Sequence, residues 1–242
     1  MPLITTSSYI AGPVGSALTS TSLLHFDGVN GSLSFIDEKS YLAFTSRATP
    51  YGGPNNIKLS TTKSKFGTSS VYFTTDGYLG ATAKDIFGAG DFTLDFWCTG
   101  SQVSSIVYLF TAGNALQLSI TGNTNSSNLN VYATSAQGTV INAVVASNVP
   151  IKQWMHIMMT RTNNVYCIYV NGSRVYTTTG AALAIPTGEI TMGWRPGDMI
   201  PAGGSDIGTR PFSGYIDELR IVKGSSETSA TSFTLPTDPY TN

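Results

Sequence analysis

The chain is a succession of short runs in which apolar and polar residues alternate, separated by turns rich in Gly, Asn and Ser. In the clearest run, residues 91–98, the apolar side chains occupy one face: Phe92, Leu94, Phe96 and Cys98. The other face carries Thr93, Asp95 and Trp97. Because successive side chains of a strand point to opposite sides, this pattern predicts a strand with one face in a core.

The same rhythm predicts strands along most of the chain, and no helical periodicity interrupts them. The further predicted strands lie within residues 23–28, 34–37, 57–59, 69–73, 78–80, 106–110, 115–120, 129–133, 140–145, 154–161, 165–170 and 174–176. Asn163-Asn164 and Asn171-Gly172 separate the last three runs. Asn-Gly tolerates positive φ at both positions, so we predict two hairpins in succession.

The stretch 211–224 alternates like a strand and then breaks phase, since Ile216 and Leu219 are three residues apart with Asp217-Glu218 between them. Odd spacing of this kind indicates a β-bulge or a strand that is buried on both sides. We interpret it as a core strand near the C-terminus. The whole pattern predicts an all-β protein, a two-sheet antiparallel β-sandwich.

Composition divides the chain into three parts. Residues 1–21 lack periodicity and form an extended N-terminal arm, which is either a frayed terminus or a segment that orders on a partner through its apolar residues. Those residues are Leu3, Ile4, Tyr9, Ile10 and Val14. Residues 22–224 form the sandwich domain. Residues 225–242 form a Ser/Thr/Pro tail that packs on the domain through Phe233 and Tyr240.

Charge and hydropathy exclude several functions. Charged residues make up 11% of the 242 residues and the net charge is -1, so no positive field attracts nucleic acid. No apolar run approaches the ~20 residues of a membrane span, and the N-terminus lacks the pattern of a secretion leader. We therefore expect a soluble protein that binds no nucleic acid.

Catalytic patterns are missing as well. Retaining glycosidases place two carboxylates close together, which on a strand requires alternating acidic positions. The adjacent pairs Asp37-Glu38 and Asp217-Glu218 point to opposite faces if they are extended. The histidines, His25 and His156, lie outside any nucleophile context and are interpreted as packed strand residues. We predict that the protein is not an enzyme.

Metal and thiol chemistry has little sequence support. Asp27 and Asp217 offer oxygen ligands for calcium, but single carboxylates in strands more often accept backbone hydrogen bonds. We expect no cofactor and no metal site, with a structural calcium ion as the alternative. Cys98 and Cys167 lie in strand-like runs, where two buried thiols and one disulfide both fit the sequence.

Two places offer side chains for binding. The long loop 194–210 combines an aromatic ring, a guanidinium and a carboxylate in Trp194, Arg195 and Asp198. Trp and Arg are typical of interface anchors, so this loop is the preferred site for a sugar or a partner chain. Trp97 is the second candidate: it either stacks on a sugar ring or lies beneath a loop.

Motifs spread over residues 22–240 resemble a known family. They include Leu24-His25-Phe26-Asp27-Gly28, Lys65-Phe66-Gly67, Gly90-Asp91-Phe92-Thr93-Leu94, Tyr169-Val170-Asn171-Gly172, Tyr215-Ile216-Asp217-Glu218-Leu219-Arg220-Ile221 and Phe233-Thr234 with Pro236. The combination resembles the laminin-G-like jelly roll of the concanavalin A-like lectin/glucanase superfamily, of the kind found in tailed-bacteriophage virion proteins. The resemblance implies two curved sheets that bind sugar or protein at an edge or on the concave side.

From this resemblance we expect a non-enzymatic bacteriophage protein on the virion surface. Its role is capsid decoration or that of an accessory virion component, docked on other virion proteins through the arm, with host-surface glycans as further ligands. The alternative is a tail-fibre or tail-associated adhesin that binds host carbohydrate, although no fibre shaft is visible in the sequence. A glucanase ranks third. A homo-oligomer is also expected.

Overall fold

The computed structural model describes residues 19–48, 57–74, 77–101, 106–123, 126–195, 209–228 and 230–241. These parts of the chain contain sixteen strands and no helix, hence none that crosses a bilayer. The strands are β1 (Ser22–Leu24), β2 (Thr45–Ala48), β3 (Lys58–Ser60), β4 (Ser70–Phe73), β5 (Gly77–Thr82), β6 (Phe92–Gly100), β7 (Ile106–Ala112), β8 (Leu116–Asn123), β9 (Ser126–Ser135), β10 (Gly138–Ala146), β11 (Met155–Thr162), β12 (Val165–Val170), β13 (Ser173–Thr179), β14 (Glu189–Met192), β15 (Thr209–Arg210) and β16 (Gly214–Lys223).

The strands form two eight-stranded sheets. Sheet A has the order β13-β12-β11-β6-β16-β4-β3, with β1 also paired to β16. Sheet B has the order β10-β9-β8-β7-β14-β5-β2, with the short β15 parallel to β7. Apart from that short parallel pair, every ladder is antiparallel. The predicted all-β, two-sheet sandwich is confirmed.

The core lies between the sheets and contains the apolar faces that the alternation predicts. On β6, the side chains of Phe92, Leu94, Phe96 and Cys98 belong to this core. The ring of Phe96 stacks on that of Phe110 of sheet B, with 6.5 Å between centroids. Each fully buried side chain of this size contributes about 1.5–3 kcal/mol to stability, so this layer holds the sheets together.

The closing strand β16 contains the predicted bulge and is also buried on both faces. Its pairing with β6 shifts register between Asp217 and Arg220, and Glu218 at the shift has φ 53. On its other edge β16 pairs with β4 at Gly214–Ile216 and with β1 at Leu219–Ile221. The bulge therefore lies where the neighbouring strand changes, which explains the broken phase.

Both predicted hairpins are present. Asn171 and Gly172 have φ of 49 and 78 between β12 and β13, and Asn163 and Asn164 have φ of 50 and 67 between β11 and β12. These left-handed conformations match the twist of the flanking strands, so the turn residues fix the register of this part of sheet A.

The strand predicted at residues 34–37 is wrong, since this segment has no regular structure. Asp37 explains the difference: its carboxylate accepts hydrogen bonds from the backbone amides of Leu23, Lys39, Tyr41 and Leu42. The chain folds around this carboxylate instead of joining a ladder. The strands β2 and β14 were not predicted, because their runs are short and alternate poorly.

The C-terminal residues lie along the outer face of sheet A. The hydroxyl of Tyr169 donates a hydrogen bond of 2.8 Å to the carbonyl of Ala230. The ring of Phe233 contacts the rings of Tyr169 and His156, at 5.3 and 5.8 Å between centroids. The part of this face formed by β11 and β12 is consequently covered by the protein itself.

Candidate functional site

The outer face of sheet A contains a buried polar cluster. Asp95 of β6 and Arg220 of β16 form a paired hydrogen bond, Nε to Oδ1 at 3.1 Å and Nη2 to Oδ2 at 2.8 Å. Both side chains are fully buried. Burial opposes ionisation of Asp95, but Arg220 and His156 more than offset it and hold the carboxyl pKa at about 2.

The tail completes this cluster. Tyr240 donates its hydroxyl hydrogen to Asp95 Oδ2 at 2.8 Å and lies 2.9 Å from His156 Nε2. Glu227 pairs with Arg220 at 2.5 Å. These contacts satisfy the charges internally and leave no access for a ligand, so we interpret the cluster as structural. His156 is packed, as the sequence predicts.

Trp97 lies on the same face, where it is 2% exposed. The Lys65 ammonium sits 4.0 Å from its ring centroid, and the Phe66 ring meets it edge-on at 5.9 Å. The loop that contains these two residues covers the indole. Of the two alternatives for Trp97, the structure shows the one in which the indole lies beneath a loop, and the candidate role in ligand contact is corrected because a covered ring has no face for a sugar.

Two aspartates hold that loop in place. Asp217 Oδ2 accepts hydrogen bonds from the amides of Lys65 and Phe66, at 2.7 and 3.3 Å. Asp27 Oδ1 accepts from the amide of Thr68 at 2.6 Å. Gly67, with φ +57, fits between them, since an added Cβ would lie 2.2 Å from Asp27 Oδ2. Both carboxylates accept backbone hydrogen bonds, which is the interpretation favoured from sequence over calcium binding.

Burial raises the pKa of Asp217 to about 8, although the backbone donors oppose the shift. The neighbouring Glu218 carboxylate instead bonds His25 Nδ1 at 2.8 Å and accepts the amide hydrogen of Tyr240. The bulge thus gives each carboxylate its own set of partners.

Cys98 and Cys167 are free and buried, which decides between the two states that the sequence left open. In the described parts of the chain, no three His, Cys, Asp or Glu side chains are grouped to hold a metal ion.

Trp194 and Arg195 lie at the start of the long loop. Trp194 is 2% exposed and packs on Tyr78, with 5.3 Å between centroids. Its carbonyl accepts a hydrogen bond of 2.5 Å from the Thr191 hydroxyl. The candidate role of Trp194 in direct ligand contact is therefore corrected: the enclosed indole packs against Tyr78 of sheet B and offers no ring face to a ligand.

Arg195 lies at the surface, with its guanidinium carbon 6.0 Å from the centroid of Tyr108. It lines a pocket of about 350 Å³ at one end of sheet B. The other lining residues come from the end of β7 with the turn that follows it and from the segment that leads into β14: Thr111, Gly113, Asn114, Thr187, Gly188 and Glu189. The pocket, called the Arg195 pocket below, is the candidate functional site.

Local geometry fixes the walls of the Arg195 pocket. Gly113 has φ +50 and lies against Thr187, whose carbonyl oxygen would be 1.8 Å from an added Cβ. Asn114 Oδ1 accepts hydrogen bonds from the amide and hydroxyl of Thr187, at 3.1 and 2.9 Å. These contacts orient the Asn114 amide and hold the β7–β8 turn against the segment that leads into β14.

The pocket carries both signs of charge. Glu189 pairs with Arg47 at 2.5 Å and accepts a hydrogen bond of 3.2 Å from the Tyr78 hydroxyl. Burial and the nearby Glu189 carboxylate raise the pKa of Tyr78, so this hydroxyl remains a donor at neutral pH. A ligand would meet an arginine, an amide, hydroxyls and a carboxylate, a mixture that suits a polyhydroxylated molecule.

A second pocket of about 300 Å³ lies elsewhere on the surface. Its lining is dominated by small apolar side chains: Ala89, Ala136, Ala181, Ala182, Leu183, Ala184 and Ile185. Its one carboxylate, Asp85, is bonded to Lys223 at 2.8 Å. The Arg195 pocket is the better candidate because it brings several different polar groups together.

Some predicted binding residues lie outside the described residues. They are Leu3, Ile4, Tyr9, Ile10 and Val14 of the arm, and Asp198 of the long loop. Conversely, the sequence pattern does not indicate Asn114, Thr187 and Glu189 as site residues. They are distant from one another in the chain, and only the pairing of β14 with β7 brings them beside Arg195.

Comparisons with known proteins identify the superfamily of the chain and solved structures with a similar fold. The sequence model described as the concanavalin A-like lectin/glucanases superfamily matches residues 73–229, more than half of the chain. No curated protein sequence matches. A similar solved structure is domain 4 of AbnA, a GH43 extracellular arabinanase from Geobacillus stearothermophilus, in complex with arabinotriose. That match has a TM-score of 0.61 and 18% identity, and it covers 88% of this chain and 97% of that one.

Two larger proteins contain a similar unit. The binding domain of botulinum neurotoxin serotype C1 matches with a TM-score of 0.53 and 12% identity over 86% of this chain and 49% of that one. A Trypanosoma rangeli sialidase matches with a TM-score of 0.54 and 13% identity over 96% of this chain and 35% of that one. At such low identity these likenesses concern the fold alone.

Proposed function

We propose that this chain, which belongs to the concanavalin A-like lectin/glucanases superfamily, is a non-enzymatic carbohydrate-binding protein whose ligand occupies the Arg195 pocket. The observation that carries the proposal is the convergence of Arg195, Asn114 and Glu189 in a space of about 350 Å³. Pockets of this size accept small ligands, and a sugar ring presents hydroxyls that both donate and accept hydrogen bonds.

The likeness to domain 4 of AbnA supports this proposal. That domain was solved with arabinotriose and shares the fold over nearly its whole length. The polar cluster of sheet A is occupied by the protein itself, which favours the Arg195 pocket over the opposite sheet. The absence of a catalytic function stays part of the proposal, to be tested with a reducing-sugar assay on arabinan and β-glucans.

Isothermal titration calorimetry with a panel of tri- and tetrasaccharides tests the site. We expect Arg195→Ala and Asn114→Ala to weaken the binding of any positive sugar by about tenfold or more, the loss of about 1.4 kcal/mol. Arg174→Ala, on the edge of the opposite sheet, is the matched control and should bind as the wild type does. Unchanged affinity in Arg195→Ala would exclude the pocket.

The biological setting is a further part of the proposal. We infer from the sequence resemblance that the protein is a bacteriophage virion surface protein, as capsid decoration or an accessory component, docked through its arm. The tail-associated adhesin is the alternative, and light scattering would test the expected homo-oligomer. If the protein decorates the capsid, purified heads should carry it; an adhesin should instead fractionate with tails.

Deletion of residues 1–18 tests the docking role of the arm. The cut spares Thr21, whose amide donates a hydrogen bond of 2.7 Å to Ile221 and helps to hold β1 in sheet A. The truncated protein should fold with an unchanged melting temperature but should not associate with particles. Normal incorporation would refute the docking role.

A further inference from the structure

The outer face of β8, β9 and β10 carries no charged side chain and is mostly polar. Alternate residues of these strands are buried in the core, among them Leu118, Val131 and Ile141. The intervening side chains therefore lie on the outer side. We call this surface the uncharged face; it comprises Gln117, Thr121, Asn128, Asn130, Tyr132, Asn142 and the apolar Val144, whereas Ser119 on the same side is buried.

Strand register arranges these side chains in rows that cross the sheet. Gln117 pairs with Thr111 on one side and with Tyr132 on the other, and Tyr132 pairs with Asn142. At 4.7–4.9 Å between strands, such a row spans roughly 14 Å. Since Thr111 also lines the Arg195 pocket, the row leads from that pocket to the edge strand β10.

The next two rows, which contain the pairs Ser119–Asn130 and Thr121–Asn128, are linked by hydrogen bonds. Asn130 donates to the Thr121 hydroxyl at 2.8 Å and to the carbonyl of Asn128 at 3.1 Å. Such bonds reduce the side-chain entropy that a ligand must overcome on binding. Asn130 and Tyr132 are two residues apart on β9 and therefore share its outer side, so the face presents an aromatic ring beside amides and hydroxyls.

The sequence of this region contains no side chain that is charged at neutral pH. From Phe96 to Ile151 there is no Asp, Glu, Lys, Arg or His, although 11% of the chain is charged. A carboxylate or sulfate placed on this face would lose hydration without gaining an opposite charge, which is costly. A hydroxyl of a neutral sugar exchanges water for an amide or hydroxyl at little cost.

We propose that the uncharged face binds an extended, electrically neutral polysaccharide that continues from the Arg195 pocket across β8, β9 and β10. The proposal deepens the proposed function and rests on it for the class of ligand. Tyr132 supplies an apolar ring surface, and Gln117, Asn130 and Asn142 supply hydrogen bonds. A longer chain of sugar residues fits the length of the row, whereas a short oligosaccharide binds at the pocket.

Affinity electrophoresis in arabinan, mannan and β-glucan, each beside its carboxymethylated derivative, tests the charge preference. We expect retardation by at least one neutral polymer, weaker retardation by its carboxymethylated form, and little change between low and high salt. Stronger binding to the carboxymethylated form, or to none of the neutral polymers, would overturn the proposal.

Variants separate the face from the pocket. Tyr132→Ala should weaken binding of the retarding polymer about tenfold and leave binding of its trisaccharide unchanged, whereas Tyr132→Phe should behave like the wild type. Thr179→Ala, exposed on the opposite sheet, is the control for the surface. Melting temperatures of all variants show whether the fold is intact.

The outcomes distinguish the two proposals. If Arg195→Ala abolishes trisaccharide binding and Tyr132→Ala changes nothing, only the uncharged face is refuted. If Tyr132→Ala weakens polymer binding and Arg195→Ala has no effect, only the pocket is refuted. Dimerisation of the wild type that Tyr132→Ala abolishes, without any polymer binding, would assign the face to a second copy of the chain and overturn its role in sugar binding.

Discussion

Arg220 holds Asp95 with two hydrogen bonds between neighbouring strands, and the ring of Tyr240 covers the guanidinium at 4.1 Å from its carbon to the ring centroid. Buried charges are stable only when they are paired and hydrogen-bonded. The tail supplies Tyr240 and Glu227 to this cluster. The buried pair is therefore stable only when the C-terminal tail is packed on the domain.

Replacement of Asp95 by Asn tests this pair. The variant keeps the size of the side chain but leaves a buried guanidinium without its main counter-charge. We expect the free energy of unfolding to fall by about 3–5 kcal/mol in urea titrations followed by circular dichroism. Lys223→Ala, which removes the more exposed bridge to Asp85, is the control and should cost less than about 1 kcal/mol. Equal losses would contradict a special role for the buried pair.

The His25–Glu218 contact predicts a pH dependence. Its hydrogen bond raises the pKa of His25 above 6.5, against the effect of burial. A raised folded-state pKa stabilises the protein below the unfolded value, and this contribution is lost as the pH rises through the folded-state pKa. The stability difference between the wild type and His25→Gln should thus be largest below pH ~6.5 and shrink at higher pH.

Chemical denaturation at several pH values measures this difference. Glu38→Gln provides a graded control, because its carboxylate lies 3.4 Å from His25 Nε2 but is 45% exposed. Its effect should be smaller and should have the same sign. A difference that grows with pH would show that His25 is neutral when it contacts Glu218.

Removal of the loop cover tests the structural role of Trp97. In Phe66→Ala one of the two side chains over the indole is lost, so acrylamide should quench Trp97 more and its emission should shift to the red. Trp97 is isolated in a background in which Trp154 and Trp194 are replaced by Phe. Sugar binding by the Phe66→Ala single variant should be unchanged; a loss of binding would return Trp97 to the list of ligand contacts.

Deletion of residues 225–242 should destabilise the domain severely. It removes Phe233 from its contact with Tyr169 and removes Tyr240 from Asp95, exposing apolar and charged groups that are buried in the intact protein. We expect loss of a cooperative thermal transition or a melting temperature lower by more than 10 °C, roughly the effect of several kcal/mol in a domain of this size. Tyr240→Phe, which loses only the hydroxyl that donates to the Asp95 carboxylate, should cost about 1.5–3 kcal/mol.

Sequence alone predicted the elements whose signal is local. The alternation in residues 91–98 and the turn residues Asn171-Gly172 act through side-chain direction and backbone torsion, so β6 and the β12–β13 hairpin are readable from neighbours in the chain. The broken phase at Asp217-Glu218 likewise predicted a bulge. The strand predicted at residues 34–37 was wrong, because the Asp37 carboxylate accepts hydrogen bonds from four backbone amides and this outweighs a weak strand pattern.

The chain's alternation thus determined an all-β sandwich, and its low charge determined the kind of surface that it presents. Only the tertiary structure decided that Trp97 and Trp194 are covered, that Asp95 meets Arg220, and that Asn114 and Glu189 share a pocket with Arg195. The physical reason is that burial and pairing depend on the register between strands distant in sequence. Alternation assigns a side chain to a face, but only the packed sheets decide what covers that face.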